Sequence, residues 1–242
     1  MGLTRLGLKS RPKMAVYVTG DKHGEMEMYH LQKKHRPISL TEDDILIIAG
    51  DFGLLWSDPP RLKAAHWLRY LEQAKWTTLF VDGNHENFDL INKLPEEYKW
   101  GGYVGKVHDK LYHLKRGEVY EIQGHKILTF GGALSIDKMY RQMGISWWPE
   151  ELPNHKETEH CIDNIIAHDN KVDYVITHTC PQEVAEIMAG KYRFEKIGDP
   201  TGKILSHISS MVECKQWLFG HWHVNVTLGK YRCLWHDFVK LD

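Results

Sequence analysis

The sequence predicts an α/β fold in which two β-sheets lie face to face with helices outside. Two observations predict it. Short apolar runs, several ending in Gly, alternate with helix-like segments in the first and last thirds of the chain. Between about residues 99 and 133 the period changes to that of hairpins punctuated by Gly, so an antiparallel region separates two strand–helix regions. The chain has 242 residues, 42% of them hydrophobic and 26% charged. That length and balance fit one large domain from about Met14 to Asp242, and exclude wholesale disorder and a disulfide-stapled miniprotein. Composition alone leaves a single open sheet as the alternative.

Taken in order, MAVYVTG (14–20) is a buried strand ending in Gly. Residues 26–36 read as a helix stopped by Pro37. DILIIAG (44–50) is a second apolar strand. Pro59 and Pro60 mark a helix start, with Ser57 or Asp58 as cap, and Leu62, Ala65, Leu68 and Leu71 are spaced for its apolar face. WTTLFVDG (76–83) is a third strand, and residues 86–93 read as a short helix. GYVGKVHDKLYHL and EVYEIQGHKILTFGGA read as hairpins. A helix returns near 155–169 with Ile162, Ile165 and Ile166 on one side, followed by a strand at 173–178 and helices at 182–189 and 201–213. QWLFGH (216–221) is another strand, and YRCLWHDF (231–238) closes the sheet.

Lys plus Arg is 31 and Asp plus Glu is 32, a net charge of −1. That excludes a global charge bias toward nucleic acid or membranes and leaves room for a local basic patch. No stretch approaches the ~18 apolar residues of a membrane span. Residues 1–13 carry Arg5, Lys9, Arg11 and Lys13 and no acid. They read as a basic arm, without the apolar run of a secretory signal and without the hydroxyl at position 6 of a myristoylation signal. Cys161, Cys180, Cys214 and Cys233 are scattered without a CxxC pair, as expected of reduced, mostly buried thiols in a cytoplasmic protein.

Histidine is abundant, at 16 residues, and the chemistry gathers at strand ends. GDKHG (20–24), GDFG (50–53), GNHE (83–86), THTC (177–180) and GHWH (220–223) each follow a strand-like run. Ligands of open α/β sheets sit outside the carboxyl ends of strands, so these loops would bring together Asp21, His23, Asp51, Asn84, His178, His221 and His223. The set suits two adjacent metal ions. Asp21 and His23 alternate by two, as do His221 and His223, so each pair points one way from an extended strand end. Asp51 has two oxygens with which to bridge, and Asn84 adds a neutral oxygen. Imidazole mixed with carboxylate suits Mn, Fe, Zn or Ni better than Ca or Mg. Two ions ~3.5–4 Å apart clamp the attacking and leaving oxygens of a phosphoryl displacement. Taken singly, each segment reads as an ordinary turn, cap or core histidine; five in this order do not. The remaining histidines lack motif context and read as ordinary surface or core residues.

The ordered series D-x-H, G-D, G-N-H-E, H and G-H-x-H resembles the calcineurin-like metallophosphoesterase superfamily, over about Met14 to Asp237. The resemblance implies a four-layer α/β/β/α sandwich with a dinuclear centre. Asp21, His23, Asp51 and His223 would hold one divalent ion, and Asp51, Asn84, His178 and His221 the other, with Mn the first choice. A hydroxide between the ions would attack phosphorus, and His85 would be the general acid for the leaving oxygen. His85 suits that role because Asn84 points at the metal and its neighbour then faces elsewhere. Glu86 is expected to cap the following short helix. Phosphoprotein phosphatases of the superfamily carry G-D-x-x-D-R-G, whose second Asp pairs with the catalytic His. Here Leu54 and Leu55 occupy the Asp and Arg positions, which leaves the orienting partner of His85 unidentified.

The segment 130–152 falls where such folds place a loop over the metals. Lys138 and Arg141 could meet phosphate oxygens, Arg141 in bidentate fashion. Trp147 and Trp148 could stack on a base or fill a gap over the sheet. The expected activity is hydrolysis of a phosphodiester or nucleotide-type phosphoester. The alternatives are a phosphomonoesterase, including a Ser/Thr protein phosphatase, and a non-catalytic scaffold. The implied partner is a phosphoester substrate, a nucleotide or nucleic acid among them, with no membrane and no obligate protein partner.

Overall fold

The computed structural model describes residues 14–193 and 198–242. The expected basic arm, residues 1–13, lies outside the described residues. Three parallel strands begin the fold: β1 (Val16–Thr19), β2 (Ile45–Ala49) and β3 (Thr77–Val81). Helix α1 (Leu62–Glu72) joins the second to the third. A short helix α2 (Phe88–Ile91) precedes β4 (Glu96–Lys99), β5 (Gly102–His108) and β6 (Leu111–Leu114). Next come β7 (Val119–Ile122), β8 (His125–Phe130), α3 (His155–Ala167) and β9 (Tyr174–Thr177). Helices α4 (Gln182–Tyr192) and α5 (Pro200–Met211) lead to β10 (Gln216–Phe219), β11 (Val226–Leu228), β12 (Tyr231–Cys233) and β13 (Phe238–Lys240).

The strands form a seven-stranded sheet, β13-β1-β2-β3-β6-β5-β4, and a six-stranded sheet, β11-β12-β10-β9-β8-β7. Both are mixed. The two sheets share one apolar interior, where Val18, Ile47, Leu79 and Leu114 of the first meet Ile122, Ile127, Ile176 and Leu218 of the second. The alternate positions of the same strands face outward. Leu46, Ile48 and Phe80 pack under α1 residues Ala64, Trp67 and Leu71. Phe130, Val175 and Phe219 pack under Cys161 and Ile165 of α3, Met188 of α4 and Leu205 of α5. This burial on both faces is why the central strands read as continuous apolar runs rather than alternating ones. The result is the expected α/β/β/α layering, and a single open sheet is set aside.

Several local expectations change. Residues 26–36 do not form an α-helix; they make 3-10 turns at Gly24–Met26 and Met28–Leu31. A continuing helix would need the Leu31 carbonyl as an i→i+4 acceptor, and that carbonyl instead accepts from the Arg36 guanidinium at 2.9 Å and the Tyr70 hydroxyl at 3.1 Å. Helix α1 has no side-chain cap; the Ser57 hydroxyl donates to the Pro59 carbonyl instead. Its buried face is Ala64, Trp67 and Leu71, and Leu62 is exposed: the Trp67 indole, the largest group on the helix, decides which face goes in. In α3 the buried pair is Cys161 and Ile165, with Ile166 exposed. The segment 231–238 is two strands rather than one. β12 joins the six-stranded sheet and β13 the seven-stranded one, so the chain crosses from sheet to sheet at Leu234–Asp237. β11 lacks a clear signal in its sequence.

Candidate metal centre

The carboxyl ends of β1, β2, β3, β9 and β10 lie side by side across the two sheets, and the five loops beyond them converge. All seven residues expected from the sequence are brought together. Asp51 is at the centre and buried. Its Oδ2 is 3.3 Å from His23 Nε2 and its Oδ1 is 3.3 Å from His178 Nε2, so its two oxygens face opposite ways. On one side His223 Nε2 lies 3.0 Å from Asp21 Oδ2. On the other, His178 Nε2 lies 3.0 Å from Asn84 Oδ1, and the His221 ring packs edge-on against His178 with centroids 4.9 Å apart. Ligand-type atoms of Asp21, His23 and His223 lie within 4.8 Å of one another, and so do those of Asp21, Asp51 and His178.

Neighbouring groups fix the orientation of these donors. The Glu27 carboxylate accepts from His23 Nδ1 at 2.6 Å, and the Ala49 carbonyl accepts from His178 Nδ1 at 3.1 Å. Both rings therefore turn Nε2 inward, the arrangement in which an outer acceptor sets the tautomer of a metal-binding histidine. Asn84 Nδ2 donates to Ser135 Oγ at 3.1 Å, which turns Oδ1 inward. The His221 backbone N–H donates to Asp21 Oδ1 at 2.9 Å. Two glycines make room. A Cβ on Gly83 would overlap Asp51 Oδ1, and a Cβ on Gly220 would overlap Asp21 Oδ1.

The pairs spaced by two do not converge by strand alternation, as the sequence suggested. His23 (φ 38°), His221 (φ 67°) and His223 (φ 49°) are left-handed, as is Asp51 (φ 47°). Non-glycine residues visit that region rarely and at a cost, and such strain gathers at functional sites. Sharp turns, rather than an extended strand end, aim these side chains.

The electrostatics agree with a site built for positive charge. Asn84 Oδ1 and Asp51 Oδ1 both face His178 Nε2, so acceptor meets acceptor unless a proton or a cation lies between. Burial pulls His178 down, but the charge of Asp51 outweighs it and raises the ring to about 9. Burial likewise lowers His23, and its bonds to Asp51 and Glu27 reverse this, to about 10. Asp51 is held well below the ordinary carboxylate range: its burial is overcome by His178 and His23. Burial and the His178 charge push His221 down to about 3, which leaves it neutral. Inward-facing imidazole nitrogens, carboxylate oxygens and the Asn84 amide oxygen are the donors that divalent cations take, and the set fits such ions.

Glu86 does not cap α2: it is buried, and its carboxylate accepts from the backbone N–H of Phe52 at 2.6 Å and of Gly53 at 3.0 Å, tying the β2 loop to the β3 loop. His85 keeps its backbone N–H on Asp51 Oδ1 at 2.8 Å, and a ring nitrogen lies within 4.8 Å of His23 and Asp51. Burial lowers its pKa, with Asp51 opposing and Arg141 assisting. Arg141 lies beside His85 and is gripped by Asp137, while Lys138 is exposed, with its ammonium 5.6 Å from the centre of the Trp147 ring. Trp148 is buried, donates to Asp89 Oδ2 at 3.0 Å and packs edge-on against Trp56, so it fills a gap and offers no face for a base.

Sequence reasoning missed Glu27, Ser135 and Trp235. Glu27 also accepts from Trp235 Nε1 at 3.0 Å, and Trp235 stacks on His223. His236 and His30, read as ordinary histidines, continue that stack outward. Glu27 lies four residues after His23, a spacing visible in the sequence; Trp235 lies on the crossing segment and has no local signal.

A two-sheet sandwich with histidines and carboxylates converging at its strand ends defines a class of protein, one whose fold positions divalent metal. Within that class the chain belongs to the calcineurin-like phosphoesterase family, whose model matches residues 14–225. It is similar to the lariat debranching enzyme of Schizosaccharomyces pombe, 25% identical over 95% of this chain and 52% of that protein. It is also similar to the lariat debranching enzyme of Entamoeba histolytica, 22% identical over 86% of this chain and 63% of that protein. The chain thus spans about half to two thirds of the length of these relatives.

Proposed function

We propose that this chain is a phosphodiesterase that works with two divalent cations. Asp21, His23, Asp51 and His223 would hold one ion, and Asp51, Asn84, His178 and His221 would hold the other. Mn is the first choice, with Fe, Zn or Ni as alternatives of the same ligand chemistry. Bound there, such ions supply an activated water nucleophile and neutralise charge on the phosphoryl oxygens. The observation that carries the reading is the two-sided Asp51, 3.3 Å from an inward-facing Nε2 on each flank. The protein's own groups do the rest. His85 meets the leaving oxygen, Lys138 brings positive charge to the phosphate from the loop above, and Arg141 stands beside His85.

A diester is favoured over a monoester on two grounds. Both similar proteins are lariat debranching enzymes, which act on a phosphodiester. The residues that take the Asp and Arg positions of the phosphoprotein phosphatases are core: Leu54 is fully buried and Leu55 packs against the same cluster. The substrate is accordingly a nucleotide or nucleic acid, a branched strand among them. A non-catalytic scaffold would have no need of seven converging donors. The four free thiols, three of them buried, fit a cytoplasmic location.

The test is turnover with Mn supplied, comparing bis-nitrophenyl phosphate, nitrophenyl phosphate, a cyclic nucleotide, a linear oligonucleotide and a branched one. Cleavage of the diesters and the branched strand is expected. Turnover of the monoester alone would replace the reading with a phosphomonoesterase, and two bound ions without any turnover would replace it with a scaffold.

A further inference from the structure

His85 has an orienting partner, and it is a cation. Arg141 Nη1 lies 2.9 Å from His85 Nδ1. A guanidinium has five N–H donors, no acceptor, and keeps its charge at any working pH. Nδ1 must therefore be the acceptor, which places the single proton of the neutral ring on Nε2. Arg141 is itself held. Its Nε donates to Asp137 Oδ1 at 2.7 Å and its Nη2 to Asp137 Oδ2 at 2.8 Å, while Nη1 also donates to the Ser146 carbonyl at 3.2 Å. The edge that would grip a phosphate with two parallel bonds is thus turned onto Asp137. The other end of the geometry is equally fixed, because the His85 backbone N–H is anchored on Asp51.

We propose that Arg141, braced by Asp137, is a positioning residue for His85: it fixes the Nε2–H tautomer, so that His85 meets the leaving oxygen as a hydrogen-bond donor. The proposal rests on the phosphoesterase reading for its catalytic consequence and on geometry alone for the tautomer. It also separates this chain from the phosphoprotein phosphatases of the superfamily. A carboxylate partner stabilises an imidazolium, whereas a guanidinium against Nδ1 disfavours one. Here the position of that carboxylate is Leu54, buried in the core, and the orienting group comes instead from the 131–152 loop with the opposite charge. His85 then stabilises charge building on the leaving oxygen through a preorganised N–H.

Two measurements test this. The first is histidine 15N NMR on the metal-free chain, with His85→Ala used to assign the signal. The Nε2–H tautomer is expected in the wild type, and a mixture of tautomers in Arg141→Ala. An Nδ1–H tautomer in the wild type would overturn the proposal. The second uses Mn-loaded protein on nitrophenyl and alkyl phosphodiesters. Losing a charged hydrogen bond that acts through His85 should lower kcat on the order of 10–100-fold in Arg141→Ala, with KM nearly unchanged. The double variant Arg141→Ala/His85→Ala should be no slower than His85→Ala alone. Asp137→Asn, which leaves Arg141 in place, should shift kcat the same way by less. A rise in KM at constant kcat, or additive losses in the double variant, would return Arg141 to the role of a phosphate clamp. Absence of turnover in the wild type would sink the phosphoesterase reading, and the NMR arm would still decide the tautomer.

Discussion

Replacing Glu27 by Gln changes one charge and almost no volume, and it acts on the centre through His23 while leaving every expected ligand in place. The carboxylate now accepts two N–H groups, His23 Nδ1 at 2.6 Å and Trp235 Nε1 at 3.0 Å, and its side chain is 16% exposed. A carboxamide can accept one of them and must present its own N–H₂ to the other. One charge-assisted bond is lost, worth about 1.5–3 kcal/mol, and the His23 ring loses the group that keeps Nε2 facing Asp51. Removing an outer partner of a metal-binding histidine typically costs about 10–100-fold in affinity, or roughly 1.4–2.7 kcal/mol. The two estimates agree. Glu27→Gln should therefore weaken Mn binding on the His23 side by about 10–100-fold while leaving the Asn84 side near wild type. Competition against a chelating indicator, read with circular dichroism to confirm the fold, measures both affinities. Two affinities within twofold of wild type would refute the account of how His23 is oriented.

Three other outcomes are expected. His221→Ala should lose one ion while His85→Ala keeps both, as counted by elemental analysis after gel filtration; loss of an ion in His85→Ala would make His85 a ligand. Gly83→Ala drives a Cβ onto Asp51, an overpacking worth about 1–3 kcal/mol, so Tm should fall by about 2–12 °C and metal affinity with it; an unchanged Tm would mean that the loop yields freely. In native protein only Cys214 should react with a disulfide reagent near pH 8, because Cys161, Cys180 and Cys233 are buried and burial pushes Cys161 up to about 12; fast labelling of a second thiol would contradict the packing.

The sequence carried the strand-end motifs clearly because their chemistry is local. A Gly must precede each ligand loop where another loop's carboxylate presses in, as Gly83 does on Asp51 and Gly220 on Asp21. The order of motifs then named the fold. What escaped was set by tertiary contact. The 26–36 helix failed because Arg36 and Tyr70 claim the Leu31 carbonyl. The aliphatic pattern points to Leu62 and Leu68 in α1 and Ile162 and Ile166 in α3, whereas the buried faces centre on Trp67 and Cys161 and keep Leu71 and Ile165. The left-handed turns at His23, His221 and His223 carry only a weak propensity signal, since histidine visits that region occasionally and the surrounding fold decides where. Along the chain Glu86 stands nearest α2, whereas its partners are 33 and 34 residues away. From the sequence Arg141 reads as a phosphate ligand; its contact with His85 spans 56 residues and only the fold shows it.

The two-ion reading turns on Asp51, which would join the two ions. Metal content of Mn-loaded wild type and Asp51→Asn, counted by elemental analysis alongside diester turnover, tests it most directly. Two ions per chain are expected in the wild type, with at most one in Asp51→Asn and loss of essentially all turnover. Two tightly held ions in Asp51→Asn would contradict it.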